Sequence, residues 1–167
     1  MKNRTIKSVL VLAAFALLII SSCGKKDHNP TVLNREATMR IEVSWNGDIQ
    51  SQVAVLTFLA VNTQSDLINI VNDTTGVISA GPFLQNADFS AHKFMTFHSE
   101  MKVNSVSVML AISPKVYTTS QDQNLLITIK IYFDGKLKDN QTFSYEELGG
   151  GTMTTPKDFN YKVSDDH

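Results

Sequence analysis

The chain has 167 residues, 43% of them hydrophobic and 19% charged, with 15 basic against 16 acidic side chains and a net charge of −1. A single cysteine excludes a disulfide within the chain, and the lack of a basic excess excludes a surface built for nucleic acid. The length suits one domain with a proper core. In chain order, residues 1–22 come first: Lys2, Arg4 and Lys7 precede an unbroken apolar run from Val9 to Ile20 and two small residues, Ser21 and Ser22. That order describes a secretory signal segment. Its twelve apolar residues make about 18 Å of helix against a hydrocarbon core of about 30 Å, too short to span.

The next residue is Cys23, the only cysteine. With this placement the segment resembles a bacterial lipoprotein signal. The resemblance implies that the Cys23 sulfur receives a diacylglycerol, that Cys23 becomes the new N-terminus, and that fatty chains such as palmitate hold the protein in a membrane. Each buried methylene contributes about 0.8 kcal/mol, so two or three chains anchor permanently. Removal of the first 22 residues leaves 12 basic and 16 acidic side chains, net −4, which argues against adhesion to anionic lipid. Gly24 stands where inner-membrane retention uses an aspartate, which favours the outer membrane of the cell envelope. Lys25, Lys26 and Asp27 make a mixed charge run, so either leaflet is open.

Residues 23–37, the lipidated cysteine and a polar stretch with Asn29, Pro30 and Asn34, are predicted to form a tether, since they carry too little apolar surface to offset their ordering entropy. Fully stretched, it reaches about 45 Å.

From Thr38 to His167 the rhythm is two. Met39, Ile41, Val43 and Trp45 alternate with polar residues, as do Val106 to Ile112 and Leu125 to Phe133, which puts one face of each strand in a core. Val53 to Val61 is apolar on nearly both sides, as for a central strand covered on both faces. Shorter candidates are Leu67 to Val71, Gly76 to Ala80, Phe94 to Glu100, Leu137 to Tyr145 and Phe159 to Val163. The expected fold is all-β, an immunoglobulin-like antiparallel β-sandwich of about seven to nine strands.

Trp45-Asn46-Gly47-Asp48 and Phe133-Asp134-Gly135-Lys136 carry the strongest short hairpin signal. A two-residue loop would pair odd positions with even ones and turn one strand inside out. Three-residue loops are therefore predicted, with Gly47 and Gly135 left-handed, Ile131 opposite Leu137, Leu125 opposite Phe143 and Val43 opposite Ile49.

Loops are predicted at Asn72 to Gly76, Gly81-Pro82, Thr118 to Gln123 and Leu148 to Pro156. Gly149-Gly150-Gly151 lacks the Gly-Lys-Ser/Thr that a phosphate loop requires. Asp73-Thr74-Thr75 resembles a short acceptor pattern for O-linked sugar, with Thr74 as the acceptor; otherwise it is an ordinary turn.

His92, His98 and Glu100 share one parity on a predicted strand, and imidazole with carboxylate is a set zinc accepts. The two histidines would lie about 20 Å apart, too far for one ion. His98 and Glu100, about 7 Å apart, are the metal candidates if a third ligand joins them; the other reading is a solvated strand face. His28 and His167 are expected to be free. A serine hydrolase would need His92 or His98 as its base, and no Gly-x-Ser-x-Gly elbow is present. Glu146 and Glu147, as neighbours, point to opposite faces of a strand and cannot pair across a glycosidic bond.

Leu125 to Phe133, the Asp134-Gly135 turn and Lys136 to Tyr145 resemble the last hairpin of small immunoglobulin-like envelope modules, including MmpS-type accessory proteins of membrane exporters. The match covers about twenty residues. Those proteins keep a membrane helix where this chain has a lipid anchor, and no functional residue carries over. The expectation is a lipid-anchored, non-enzymatic binding or assembly module of the envelope, without a cofactor and with a protein or glycan partner. The alternatives are a small hydrolase or metal-dependent enzyme using His98 and Glu100, and a structural subunit that trades strands.

Overall fold

Side chains alternate between core and solvent wherever the sequence alternates, and the alternation builds two sheets. The structure, a computed structural model, describes residues 35–47, 52–114, 125–144 and 157–163. Cys23 and its tether up to residue 34, Ile49, the loop 118–123, Glu146, Glu147, the triple glycine, His28 and His167 lie outside the described residues.

The elements run β1 (Met39–Gly47), β2 (Gln52–Val61), β3 (Leu67–Ile68), β4 (Ile70–Asn72), β5 (Ile78–Ser79), β6 (Phe83–Leu84), α1 (Asn86–Ala91), β7 (Phe94–Ser99), β8 (Ser105–Pro114), β9 (Leu125–Phe133), β10 (Lys136–Ser144) and β11 (Lys157–Lys162). One sheet has the order β10-β9-β1-β7-β4-β5; the other has β11-β8-β2-β3, with β6 also paired to β2. Every pairing is antiparallel. The fold is an all-β sandwich, as expected. Its strands number eleven among the described residues because β6 adds one and because the predicted Leu67 to Val71 strand divides. Ile68 pairs with Ala60 in one sheet and Ile70 with Ser99 in the other. Asn69 is thus a corner where the chain changes sheets.

Inward residues of both sheets meet in one core that includes Ile41, Val43, Leu56, Phe58, Phe97, Leu110 and Ile127, all fully buried. Phe58 of β2 and Phe97 of β7 join the sheets with ring centroids 5.0 Å apart. Each such side chain contributes about 1.5–3 kcal/mol of transfer free energy. The second face of β2 is half-buried at Val55, Thr57, Leu59 and Val61, less covered than its composition suggested.

Both predicted hairpins require correction. Phe133 pairs with Lys136, so the Asp134-Gly135 loop has two residues, with φ of 47° and 76°, the conformation a tight primed turn needs. A bulge at Lys138 then shifts the register, setting Ile131 opposite Asp139 and Ile127 opposite Phe143. The extra residue that parity demands sits in the strand and not in the loop. Gly47 is left-handed as expected, φ 102°, yet no hairpin follows. Strand β1 is already flanked by β7 and β9, so β2 joins the other sheet.

The domain also takes in residues expected to be tether. Ala37 is buried and bridges Val103. The Thr63 N–H and hydroxyl both donate to Glu36 Oε1 at 2.8 Å. Nearby, the Thr38 N–H and hydroxyl donate to Asp134 Oδ1 at 2.9 and 3.0 Å. These donors, backbone first, hold both carboxyls below their ordinary range.

Candidate functional site

His98 and Glu100 fall on the outer face of the six-stranded sheet or just beyond it, and the structure gives them separate partners. Asp73 follows β4 directly, and its Oδ1 lies 2.5 Å from His98 Nδ1. A carboxylate only accepts, so Nδ1 carries the proton. The pair stands open to solvent, its side chains 48% and 39% exposed. Glu100 Oε2 accepts from Asn69 Nδ2 at 2.9 Å, and the Glu100 N–H donates to the Asn69 carbonyl at 3.0 Å. Glu100 therefore pins the corner between β3 and β4. His92 is not on the strand at all: it caps α1, its N–H donating to the Asp88 carbonyl. Among the described residues no three His, Cys, Asp or Glu side chains gather as a metal would require. Thr74 is exposed in the turn after β4, its N–H donating to Asn72 Oδ1 at 2.9 Å.

The same outer face carries a second polar group in the rows beside His98. Arg40 pairs with Glu42 and lies 4.0 Å over the Tyr132 ring, and the Tyr132 hydroxyl donates to Glu42 Oε2 at 2.9 Å. Burial and then the Glu42 carboxylate raise the Tyr132 pKa.

The two long sides of the sandwich differ. Along β10 and β11 the described residues seal one: Tyr161 Oη donates to Asp139 Oδ2 at 2.8 Å, and Phe143, Phe159 and Tyr161 pack in a row, with centroids 5.4 and 6.4 Å apart. Burial pushes the Asp139 carboxyl up, but hydrogen bonds from Gln141, Tyr161 and the Asn140 N–H outweigh it and hold the group below its ordinary range. Burial, then the Asp139 carboxylate, raises the Tyr161 phenol far above its usual value.

On the opposite side the chain crosses between the sheets through Gly81 and Pro82. The Pro82 carbonyl accepts from the Phe58 N–H at 3.3 Å. A Cβ at Gly81 would come within 3.2 Å of Leu59 Cδ2, so a larger residue at the crossing would have to push that side chain aside by a few tenths of an ångström. Beyond β6, Asn86 Oδ1 accepts from the Ala54 N–H at 2.9 Å, and Phe89 of α1 meets Trp45 edge-on at 4.9 Å. Beside this crossing lies a hollow of about 300 Å³ lined by residues of β4 through α1 and by Phe97. Apolar Val77 and Phe83 line it and are 61% and 54% exposed.

Sequence reasoning singled out His98, Glu100 and His92 and passed over this hollow. Its residues come from the predicted loops at 72–76 and 81–82, from the predicted strands Gly76 to Ala80 and Phe94 to Glu100, and from the stretch after Pro82, and only the return of the chain to β2 brings them together. The one signal was the Asn72 to Gly76 turn, which supplies two of the hollow's polar side chains, Asn72 and Thr75.

No family model matches the chain, and no curated protein matches it. Three solved structures share its fold. A DUF4425 family protein from Bacteroides ovatus is 14% identical, with a TM-score of 0.58 over 76% of this chain and 95% of its own. A protein from Parabacteroides distasonis, solved in its calcium-bound form, is 15% identical, with a TM-score of 0.62 over 83% of this chain and 100% of its own. A DUF4425 domain from Bacteroides vulgatus is 14% identical, with a TM-score of 0.56 over 75% and 94%. At these identities the likeness is one of fold.

Proposed function

We propose that this protein is a lipid-anchored binding module of the cell envelope, held in the outer membrane through Cys23 and acting without chemistry of its own. The observation that carries the reading is the inequality of the two sides. One side keeps a hollow lined by exposed apolar Val77 and Phe83 beside buried polar Asn72, the kind of concave, mixed surface that ligands use. The residues with catalytic potential lie elsewhere: the His98 and Asp73 pair faces solvent, and among the described residues no hydroxyl or thiol hydrogen-bonds the His98 ring. An enzyme would need its base and its cleft in one place.

Anchorage sets the direction of presentation. The described chain enters the domain at Arg35 and Glu36, whose carbonyl and carboxylate accept from Asn104 and Thr63, so an anchor at Cys23 would act on a part of the fold that is well held. Thr74, exposed on its turn, suits the O-linked modification its sequence resembles.

The test is fractionation. Cys23→Ser is expected to move the protein from the membrane to the soluble fraction of the envelope; a variant that stays with the membrane would refute the anchor. A hydrolase or metal enzyme, by contrast, would lose activity on screened ester, peptide and glycoside substrates in His98→Ala. Finding such an activity in the parent chain would replace the binding reading.

A further inference from the structure

From the donors and acceptors of the hollow we infer its ligand: one neutral sugar ring, the end or branch of a glycan, seated between β5 and β6 with Phe83 against one face. The inference rests on the reading of the chain as a binding module. Its strongest support is Asn72, only 7% exposed yet lining the hollow. The Oδ1 of Asn72 accepts from the N–H groups of Thr74 and Thr75. Its Nδ2 has two hydrogens to give, and its one partner among the described residues is Met95 Sδ at 3.9 Å, a weak acceptor. A buried amide hydrogen left without an oxygen costs about 1–3 kcal/mol, and a ligand hydroxyl supplies that oxygen.

The other polar groups fit the same ligand. Ser79 Oγ accepts from the Gly81 N–H and Thr75 Oγ1 from the Val77 N–H, which leaves each hydroxyl its hydrogen to donate. Asp88 uses Oδ2 for the Gln85 N–H and keeps Oδ1, a pure acceptor. The set therefore asks for acceptors and for a donor close together, and adjacent ring hydroxyls are both at once. Among the described residues no Lys, Arg or His lines the hollow while Asp88 does, so a phosphate, sulfate or acidic sugar is repelled. The ring face of Phe83, negative in its quadrupole, meets the C–H bonds of a sugar face.

Size and edge length separate a sugar from a peptide. A hollow of about 300 Å³ lies at the small end of ligand sites and suits a single ring. A peptide strand would need a run of unpaired backbone, and β5 and β6 offer two residues each.

The test titrates the full-length chain in detergent micelles with methyl glycosides of neutral hexoses and N-acetylhexosamines, following the Asn72 side-chain amide and the Val77 and Gly81 N–H signals by NMR. Saturable shifts of these signals at millimolar sugar are expected, with affinity reduced about tenfold in Phe83→Ala and in Asn72→Asp. Asn72→Asp keeps the oxygen that holds the turn and removes the donor; if it fails to fold, Phe83→Ala decides alone, since that ring is exposed. Sugars that leave these signals still, or that bind Phe83→Ala as tightly as the parent, overturn the inference. A short apolar peptide that shifts them where no sugar does also overturns it, yet leaves the binding reading intact, which stands or falls on membrane fractionation and on the absence of activity.

Discussion

The β10–β11 side and the β5–β6 side close the same sandwich by different means. Along the first, two long strands run to the edge and their facing residues reach across: an ion-strength hydrogen bond from Tyr161 to Asp139 and a row of three aromatic rings. Along the second, the edges are two residues long, the chain itself crosses over, and apolar side chains are left facing water. In this sandwich the outcome follows the length of the edge strands. A nine-residue edge such as β10 has enough side chains to seal the gap, and enough unpaired backbone to be a hazard if it did not. A two-residue edge carries little of that hazard and leaves room for a site.

The largest effect belongs to the centre on which both sides rest. Phe58→Ala removes a fully buried ring that spans the sheets and is expected to cost about 3–5 kcal/mol, measured by urea unfolding. The sealed side comes next. Tyr161→Phe keeps the ring row and loses only the hydroxyl, for an expected cost of about 1–2 kcal/mol. Its signature is in the pH profile. A phenol whose folded pKa is raised contributes fully below its free value of 10.0 and loses that contribution as the pH climbs beyond it; Asp139, whose folded pKa is lowered, contributes above 3.8 and loses it as the pH falls through the folded value. The parent should therefore weaken at both extremes relative to Tyr161→Phe. An unchanged difference from pH 3 to pH 11, a window set by the ordinary carboxylate and phenol pKa values of about 4 and about 10, would remove Asp139 and Tyr161 from the account of the sealed side.

How far these two sides could be read beforehand follows from what each is made of. Beside the sealed edge the strands alternate: Leu125 to Phe133 buries every second residue as its sequence demands, and Lys157 to Lys162 half-buries every second one. The site of the bulge was invisible because parity fixes only that one extra residue exists; Gly135 in the loop and Lys138 in the strand satisfy it equally. Asn46-Gly47 misled for a related reason. Its turn chemistry is local, whereas the choice of partner for β1 was settled by β7 and β9, which lie far along the chain. The open side was hidden almost entirely. Asn69 gives no sign that a strand changes sheets there, the six residues of α1 are too few to show a period of 3.6, and Asp88, Asn72 and Phe83 meet only through the crossing at Gly81. The histidines drew notice for their chemistry, yet His98 found an acid on an exposed turn and His92 found a helix end.

A smaller effect is expected where the chain joins the domain. Glu36 and Asp134 sit at the surface, so their hydrogen bonds add little to global stability. Both carboxyls lie below their ordinary range, so the contacts are whole above pH 4.5 and fail as the pH falls through the folded values. The amide signals of Thr38 and Thr63 should move together with that titration, and Asp134→Ala should abolish it at Thr38 while leaving Thr63 unchanged. Coupled loss at both would mean that the two carboxylates act as one clasp.

The smallest effect on stability is expected on the open side, and there it separates the two sides most sharply. Phe83→Ala deletes a ring that is half in water, on a residue that pairs with Thr57 across β6 and β2; His98→Ala deletes an exposed imidazole. Each should change unfolding free energy by no more than about 0.5 kcal/mol. A ring whose removal cost the fold that little would not be there to hold the sandwich together. If Phe83→Ala instead destabilised the domain as Tyr161→Phe does, Phe83 would be a piece of the seal, and the hollow beside it a packing defect with no ligand to explain.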